Sequence, residues 1–578
     1  MNEYRTDYCN KITEDYLDQE VTLSGWIENI RDHGGVLFLD LRDETGVVQL
    51  VSNDESLIKD LTKESTVTVK GTVRKRNEED YNLNIETGKI EVLLSELNII
   101  SKCDTLPFEI KTSHEVSEEL RLKYRYLDLR NKKVHDNVVL RSKVLSFLRN
   151  KMESMDFTEV QTPIISVSSP EGARDFVVPS RKYKGKFYAL PQAPQIYKQL
   201  LMVSGFNKYY QIAPCFRDED CRADRTLEFY QLDLEMSFVT EEDVYKVGEE
   251  IFYDTFTHFS NKEVSPRPFK RIPYKEAMLK YGSDKPDLRN PLYIIDLSDL
   301  FVDCEFKPFR NNTVRGIKVD GIGDKSNSWF NEIVDYASSI GMPGIGYITL
   351  LADGTLKGPI DKFLDEETKK SLIERAELKE NSVLFFIANR KEKEAVKFAG
   401  QIRTKLGEKL ELIDPNKYEF CIVNDFPMYE YNEEEDKYDF GHNPFSMPQG
   451  GLEALNGPIE EIKAYQYDFV CNGNEMASGA VRNHDINIME RAFELAGYPK
   501  EVVEERFKSL YTAFHYGAPP HAGMAPGIDR IIMLLKDEAN LREVQTFPMS
   551  VSGVDNMMGS PAELTEQQLR EIHIKVRD

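Results

Sequence analysis

At 578 residues the chain is too long for one hydrophobic core and is expected to form roughly three or four domains. Hydrophobic residues at 40% and charged residues at 30% are those of a globular protein, and no window approaches about eighteen apolar residues, which excludes a membrane-spanning helix. A formal net charge of -25 lowers the expectation of a nucleic-acid partner without removing it, because local basic patches and base stacking can bind RNA on an acidic chain.

The N-terminal stretch Met1 to Asn10 is polar and carries acids, which argues against secretory targeting. Residues 21 to 105 read as short strands: Val21 to Ile27, Val36 to Leu41, Val47 to Val51, Thr66 to Val73 and Ile90 to Ile99. Turns fall at Asp32-His33-Gly34-Gly35 and Glu44-Thr45-Gly46, a spacing that predicts a small closed barrel such as the oligonucleotide-binding (OB) fold. Phe38 lies between aliphatic neighbours and reads either as a core residue or as a stacking platform for a base. Arg31, Arg74, Lys75 and Arg76 offer phosphate contacts, diluted by Glu78, Glu79 and Asp80.

A helical connector is predicted over Ser117 to Leu129, then a longer helix from Val134 to Met155 with Val138, Leu140, Val144, Leu145 and Leu148 as its apolar stripe. It leads into Phe157 to Pro163, where the proline suits a strand end or edge, a place where a dimer can form. Lys208 to Arg217 and Phe229 to Met236 alternate as strands. On the second, Phe229, Gln231, Asp233 and Glu235 share one face while Tyr230, Leu232, Leu234 and Met236 share the other. The connection, Phe216-Arg217-Asp218-Glu219-Asp220-Cys221-Arg222-Ala223-Asp224-Arg225, mixes acids with arginines. Between about 285 and 415 the character changes to that of an α+β module inserted in another domain, and a short helix over Pro561 to Glu571 closes the tail. Seven scattered cysteines without a CxxC pair predict a reduced, cytoplasmic protein with no structural zinc.

Several segments hold polar residues in settings that suit chemistry. Ser168 to Asp175 is turn-rich and can cover a pocket or lie on the surface. Pro194 can open a helix that sets Gln195 and Lys198 three apart on one face. Asn472-Gly473 is a hairpin signal that opposes Val470 to Glu475 and brings Asp468 diagonally onto the same face, two carboxylates fit for magnesium with phosphates. Arg482 has the wrong parity for that pocket unless a bulge intervenes, most simply near Gly479. Gly523 to Arg530 leads into an apolar helix, a helix start suited to a triphosphate although it is neither a P-loop nor a Gly-x-Gly-x-x-Gly fingerprint. With no nucleophile and activating histidine, the inventory fits phosphoryl or nucleotidyl chemistry run by positioning and charge neutralisation.

These residues carry a specific resemblance. The Phe216 to Arg225 loop with Glu228-Phe229-Tyr230-Gln231-Leu232-Asp233 resembles motif 2 of the class II aminoacyl-tRNA synthetases, Gly523 to Arg530 their motif 3, and the helix ending at Thr162-Pro163 their motif 1. Together with Pro170-Glu171-Gly172-Ala173-Arg174-Asp175 they resemble the bacterial-type aspartyl-tRNA synthetases over essentially the whole chain. The fold this implies is multidomain: an OB-fold anticodon-binding β-barrel at 1–105, a hinge at 106–133, and an α+β class II catalytic domain on an antiparallel sheet at 134–284 and 416–550. An inserted α+β GAD-like domain falls at 285–415 and a C-terminal extension at 551–578.

The resemblance implies formation of aspartyl-adenylate from L-aspartate and ATP, then transfer to tRNA, by a cytoplasmic homodimer. Arg217 would bridge the substrate carboxylate and α-phosphate, Glu219 would contact ATP, and Arg530 would hold the γ-phosphate end beside Gly527, Ile528 and Asp529. Asp218 and Thr226 stand at further nucleotide-contact positions, Thr226 where relatives carry a glutamine. Asp468 and Glu475 would hold Mg2+. Lys198 and Arg482 would clamp the aspartate side chain, with Asp233 and Gln195 ordering the pocket, His442 near the bound amino acid and Glu171 on a loop closing over its ammonium. A neutral asparagine would leave the two cations uncompensated. In the barrel, Phe38 would stack on the central anticodon base, with Arg31, His33, Gln49 and Glu91 as further contacts. Ala193, Asn443 and Ser478 depart from the family's commoner residues without removing a charge the chemistry needs. His33-Gly34-Gly35 resembles enzymes that charge both tRNA(Asp) and tRNA(Asn). The competing expectations are an asparaginyl- or lysyl-type enzyme and a catalytically silent RNA-binding paralogue.

Overall fold

The computed structural model describes residues 2–168 and 172–577. The chain divides into two compact units, Met1–Val116 and Ser117–Asp578.

The first unit is built on five strands: β1 (Glu20–Asp32), β2 (Leu37–Arg42), β3 (Val47–Ser52), β4 (Thr66–Lys75) and β5 (Ile90–Ser101). They close in the order β1-β2-β3-β5-β4, with β3 and β5 parallel, which is the topology of the OB fold. Period-two alternation drives the closure. In β2, Leu37, Leu39 and Leu41 are buried while Phe38, Asp40 and Arg42 lie on the other face. Leu23, Ile27, Leu39, Leu50, Val67 and Val92 fill the interior. Phe38 is therefore an outer-face residue rather than part of the core. The predicted Val21–Ile27 strand extends to Asp32, so its last turn carries Arg31 out along the barrel face.

The second unit starts with two short helices, Glu118–Lys123 and Arg125–Asp128, in place of one connector. Helix α1 (Lys132–Ser154) follows, capped by the Asn131 side chain and burying Val144, Leu148 and Met152. The chain then forms β6 (Thr158–Glu159), helix α2 (Gln195–Val203), β7 (Lys208–Phe216), β8 (Glu228–Ser237), helix α3 (Glu241–Phe259) and β9 (Lys270–Pro273). Strands β10 (Ile294–Asp296), β11 (Thr313–Val319), β12 (Gly346–Leu350), β13 (Leu356–Lys357) and β14 (Val383–Asn389) come next. They form a separate sheet in the order β10-β11-β14-β12-β13, with helix α4 (Asn327–Ser339) before β12 and helix α5 (Glu392–Lys409) after β14. This inserted α+β module has its own apolar clusters, with Ile317, Phe385 and Ile402 in one and Phe301, Ile348 and Phe386 in the other.

The chain returns as β15 (Phe420–Asn424), β16 (Gln466–Cys471), β17 (Asn474–Arg482), β18 (His521–Pro526) and helix α6 (Ile528–Leu535). Eight strands assemble as β9-β15-β16-β17-β18-β8-β7-β6. The inner pairings are antiparallel, and only β9 on β15 and β6 on β7 at the two edges are parallel. One face packs on α1, α3 and α6 through Leu148, Phe252, Leu232, Leu234, Phe469 and Ile531. The other face carries Asp233 and Glu235 of β8 and Glu475 and Arg482 of β17. No described helix is long and apolar enough to cross a membrane.

Candidate active site

The β7–β8 pairing sets Asp233 opposite Gln211 and Glu235 opposite Tyr209, so both carboxylates project from the face that α1, α3 and α6 leave uncovered. On the other side of β8, Glu235 pairs with Gly523 of β18, and Arg482 of β17 pairs with His521. A Cβ at Gly523 would come within 2.2 Å of Glu235 Oε2 and 2.1 Å of the Leu234 carbonyl oxygen, so only glycine lets the carboxylate lie across the neighbouring strand. Helix α2 contributes Lys198, which is 2% exposed and not a surface residue.

These elements assemble four charges. Lys198 Nζ donates to Asp233 Oδ1 at 2.7 Å and sits 3.3 Å from Glu235 Oε2. Arg482 donates to Glu235 through Nε at 2.9 Å and Nη2 at 3.3 Å. Burial raises the Asp233 carboxyl, with Lys198 opposing. Burial also pushes Glu235 upward, but Arg482 and Lys198 outweigh it and hold that carboxyl below its ordinary value. Asp233 Oδ2 is buried without a hydrogen-bond partner, an acceptor open to a ligand donor. Lys198 has three donors and Arg482 five, so N–H groups remain for an incoming carboxylate. Sequence reasoning put Glu235 on the right face but gave it no role; its position two residues after Asp233 was the available signal.

A directed hydrogen-bond chain stands beside this cluster. Asn443 Nδ2 donates to Gln195 Oε1 at 3.2 Å, and Gln195 Nε2 to Gln199 Oε1 at 3.0 Å. Gln199 Nε2 lies 3.0 Å from His521 Nε2, and His521 Nδ1 lies 2.8 Å from the Pro519 carbonyl oxygen. A carbonyl only accepts, so Nδ1 carries the proton and Nε2 accepts from Gln199. Burial holds the His521 pKa below its ordinary value, with Glu235 opposing. Neither Gln199 nor His521 was read as functional, and nothing in the local pattern around His521 marks it.

The nucleotide-type residues gather at the hairpin loop. The Arg217 guanidinium lies over the Phe229 ring, 5.0 Å from its centroid. Arg225 Nη1 donates to Glu219 Oε2 at 2.8 Å, and the Asp218 amide donates to the Arg174 carbonyl oxygen at 3.0 Å. Asp218, Glu219, Arg174, Arg222 and Arg225 line a cavity of about 1070 Å³ together with residues of the C-terminal segment, such as Met549. Arg530 Nη1 donates to the Glu475 carbonyl oxygen at 2.7 Å and Nη2 reaches that of Asp224 at 3.4 Å, so motif-3 arginine, motif-2 loop and the β16–β17 hairpin meet. Gly527 bridges to Gln231. Ile528 is core, and the Asp529 carboxylate is held by Arg141 and, at 3.0 Å, by Gln545 Nε2. Any nucleotide contact from these two positions falls to the backbone. Thr226 is buried and donates its hydroxyl to the Glu228 carbonyl oxygen at 2.8 Å.

Asp468 and Glu475 share one face, as the turn predicted. Val470 opposes Glu475, Phe469 opposes Ala477, and the skipped residue is Met476. The bulge expected near Gly479 therefore lies at Met476, directly after Glu475, and it restores parity so that Ser478, Ala480 and Arg482 face the pocket side with Asp468. Gly479 is needed for another reason: a Cβ there would meet Tyr467 Cε2 at 2.4 Å and the Gly523 carbonyl oxygen at 2.5 Å. The Asp468 carboxyl is pushed up to about 8 by burial and by Glu475, with Lys285 opposing. Its Oδ1 is buried without a partner. A buried carboxylate oxygen of this kind beside a second carboxylate is a donor set that fits a hard divalent cation completed by phosphate and water.

His442 packs edge-on against Phe426 with centroids 4.9 Å apart and lines a separate cavity of about 290 Å³ with Asp175 and Arg506. The residue that reaches helix α2 beside the Lys198 cluster is its neighbour Asn443, through Gln195. Burial lowers the His442 pKa. Glu171 lies outside the described residues.

In the barrel unit, Arg31, Phe38, Gln49 and Glu91 fall on one outer face. Arg31 Nη2 donates to Asp40 Oδ1 at 2.8 Å and to Gln49 Oε1 at 3.4 Å. Gln49 Nε2 donates to Glu91 Oε2 at 2.8 Å, and Arg74 Nε to Glu91 Oε1 at 2.7 Å. His33 stands edge-on to Phe38 with centroids 5.5 Å apart. An aromatic platform ringed by donors and acceptors in this way suits an unpaired base.

Comparison with known proteins agrees with this geometry. A family model described as tRNA synthetases class II (D, K and N) matches residues 117–551, and one described as OB-fold nucleic acid binding domain matches residues 21–99. The Aspartate--tRNA(Asp/Asn) ligase of Ehrlichia ruminantium (strain Welgevonden) is 52% identical over 588 residues, covering 100% of this chain and 99% of that protein. The protein of the same name from Rickettsia conorii (strain ATCC VR-613 / Malish 7) is 50% identical over 590 residues, covering 99% and 98%. The asparaginyl-tRNA synthetase of Pyrococcus horikoshii complexed with asparaginyl-adenylate shares the fold at a TM-score of 0.58 and 19% identity, covering 95% of this chain and 98% of that one. A class II frame with a continuous match from 117 to 551, preceded by an OB barrel, leaves one assignment: the chain belongs to the class II tRNA synthetases of the D, K and N type.

Proposed function

We infer that this chain is an ATP-dependent aspartate–tRNA ligase that charges tRNA(Asp) and also tRNA(Asn). The observation that carries the reading is the buried cluster of Lys198, Arg482, Asp233 and Glu235. Two cations oriented by two fixed carboxylates recognise a third carboxylate, that of the aspartate side chain, whereas an asparagine amide would leave buried charge unmet. The relatives named aspartate–tRNA(Asp/Asn) ligases support both the amino acid and the pair of tRNAs.

The aspartate α-carboxylate attacks the α-phosphorus of ATP and pyrophosphate leaves; a terminal ribose hydroxyl of the tRNA then attacks the aspartyl carbonyl and AMP leaves. Arg217 neutralises charge where carboxylate and α-phosphate meet, Phe229 backs it, and Arg530 anchors the far phosphates. Glu219 and the backbone of Asp218 and Gly527 to Asp529 position the nucleotide, with Thr226 fixing the loop's exit strand. Gln195 and Asp233 order the amino-acid pocket, Asn443 reaches it through Gln195, and His442 stands in the neighbouring cavity. Mg2+ held by Asp468 and Glu475 would neutralise charge on the departing pyrophosphate. The outer barrel face with Arg31, His33, Phe38, Gln49 and Glu91 reads the anticodon.

A cytoplasmic homodimer completes this proposal. Exposed Ile164, Ile165 and Val167 follow the edge strand β6, an apolar strip that a second copy would cover, and sedimentation would weigh the assembly. The activity itself is tested by exchange of labelled pyrophosphate into ATP, followed by charging of purified tRNA(Asp) and tRNA(Asn). Exchange that depends on aspartate, with both tRNAs charged, is expected. Dependence on asparagine or lysine instead would overturn the amino acid, and tRNA(Asn) charging at background would overturn the second tRNA.

A further inference from the structure

The segment that leaves the catalytic sheet for the inserted module passes directly over the Asp468–Glu475 pair. Helix 274–281 ends at Gly282, whose φ of +68° turns the chain, and the next residues carry Lys285 inward. Lys285 Nζ lies 3.3 Å from Glu475 Oε2, 4.0 Å from Asp468 Oδ2 and 2.7 Å from Asp284 Oδ2. Arg530 approaches the same group from the other side, its Nη1 3.7 Å from Glu475 Oε1. Lys285 thus stands where a divalent cation shared by Asp468 and Glu475 would have to be, and mutual repulsion keeps two cations from sharing that place.

The inserted module fixes where Lys285 stands. Arg403 of α5 is 3% exposed and donates to the carbonyl oxygens of Leu292 (2.6 Å), Asp287 (3.0 Å) and Asn290 (2.7 Å). Asn290 Nδ2 returns a bond to the Arg403 carbonyl oxygen at 2.9 Å. Gly282 and Gly400 touch backbone to backbone: a Cβ at Gly282 would fall 2.5 Å from the Gly400 nitrogen, and one at Gly400 2.4 Å from the Gly282 carbonyl oxygen. From the opposite side, a Cβ at Gly473 in the β16–β17 turn would lie 3.5 Å from Asp287 Cβ. The segment is held between the metal-site hairpin and a helix of the inserted module.

We propose that Lys285 is a tethered counter-ion of Asp468 and Glu475 that a divalent cation must displace toward Asp284, and that the inserted module sets the cation requirement of the active site by holding this segment through Arg403. The inference rests on the reading that Asp468 and Glu475 are the metal-binding carboxylates. In this arrangement the inserted module keeps the pair from taking up metal unless nucleotide phosphates add their own charge.

The test is titration of the full chain with Mn2+ alone, without nucleotide, followed by the electron paramagnetic resonance signal of free Mn2+. Lys285→Gln is expected to bind Mn2+ about tenfold or more tightly than the parent, in keeping with loss of a competing positive charge beside the carboxylate pair, while Lys285→Arg stays close to the parent. Arg403→Gln is expected to shift affinity the same way without touching a carboxylate, with circular dichroism reporting that it is folded. Parent-like Mn2+ affinity in Lys285→Gln overturns the counter-ion. Tightening in Lys285→Gln but not in folded Arg403→Gln overturns the module's part. Asp468→Asn added to Lys285→Gln should abolish Mn2+ binding; if it does not, the metal-site reading itself falls, and the proposal with it.

Discussion

His521 is a single residue whose protonation state sets the direction of a hydrogen-bond chain. Neutral, it accepts from Gln199, and every amide from Asn443 through Gln195 points the same way. Protonated, its Nε2 becomes a donor facing a donor, and Gln199 and Gln195 would have to reverse together. Burial lowers its folded pKa, with His484 adding to the effect and Glu235 opposing it. A histidine whose folded pKa is depressed contributes stability that is present above its unfolded value of about 6.5 and is lost as pH falls below it. The thermal midpoint of the protein should therefore fall more steeply between pH 7 and 5 than that of His521→Gln, as read by scanning fluorimetry. Parallel curves would remove His521 from the acid response. Gln195 was legible from its helix position, but Gln199 and His521 were not, because their roles come from partners 322 residues apart.

At the scale of elements, β17 decides the site. Its bulge at Met476 puts Glu475 and Arg482 on one face, which unbroken alternation forbids. The parity of the sequence demands a bulge somewhere in this strand but does not say where, and glycine draws attention to Gly479. That glycine instead makes room for the Tyr467 ring and the next strand. Gly479→Ala should destabilise the sheet by about 1–3 kcal/mol through overpacking, seen as a lower urea midpoint. An unchanged midpoint would mean the strands can part without cost. The β7–β8 hairpin was the most legible element, because period-two alternation on both strands fixes which residues face out. The edge strand β6 falls inside the Phe157 to Pro163 segment read as a strand end or edge, whereas the split of the connector before α1 was not legible, since short apolar runs carry too little periodicity.

Across the whole molecule, the barrel and the catalytic frame are separate compact units with separate cores, so each can be altered by mutation without disturbing the core of the other. Phe38 lies on the barrel's outer face and contributes nothing to its closed interior. Phe38→Ala should lower kcat/KM for tRNA charging by about tenfold to a hundredfold, the equivalent of roughly 1–3 kcal/mol for one stacked base, while aspartate-dependent pyrophosphate exchange without tRNA stays unchanged. A loss in both assays would return Phe38 to a structural role. The inserted module was recognisable as a change of character between about 285 and 415, but its reach toward the Asp468–Glu475 pair through Arg403 and Lys285 was invisible in the sequence.

The sequence by itself determined the class of fold, because strand alternation, turn glycines and helix stripes are local and repeat with known periods. It also marked out the motif-2 hairpin, whose loop of acids and arginines is written in consecutive residues. Only tertiary structure decided which charges meet. Lys198 with Asp233, Arg482 with Glu235, Gln199 with His521 and Lys285 with Glu475 each join distant parts of the chain. Such pairings depend on register, bulges and close backbone approach in three dimensions, and none of these is a property of a local window.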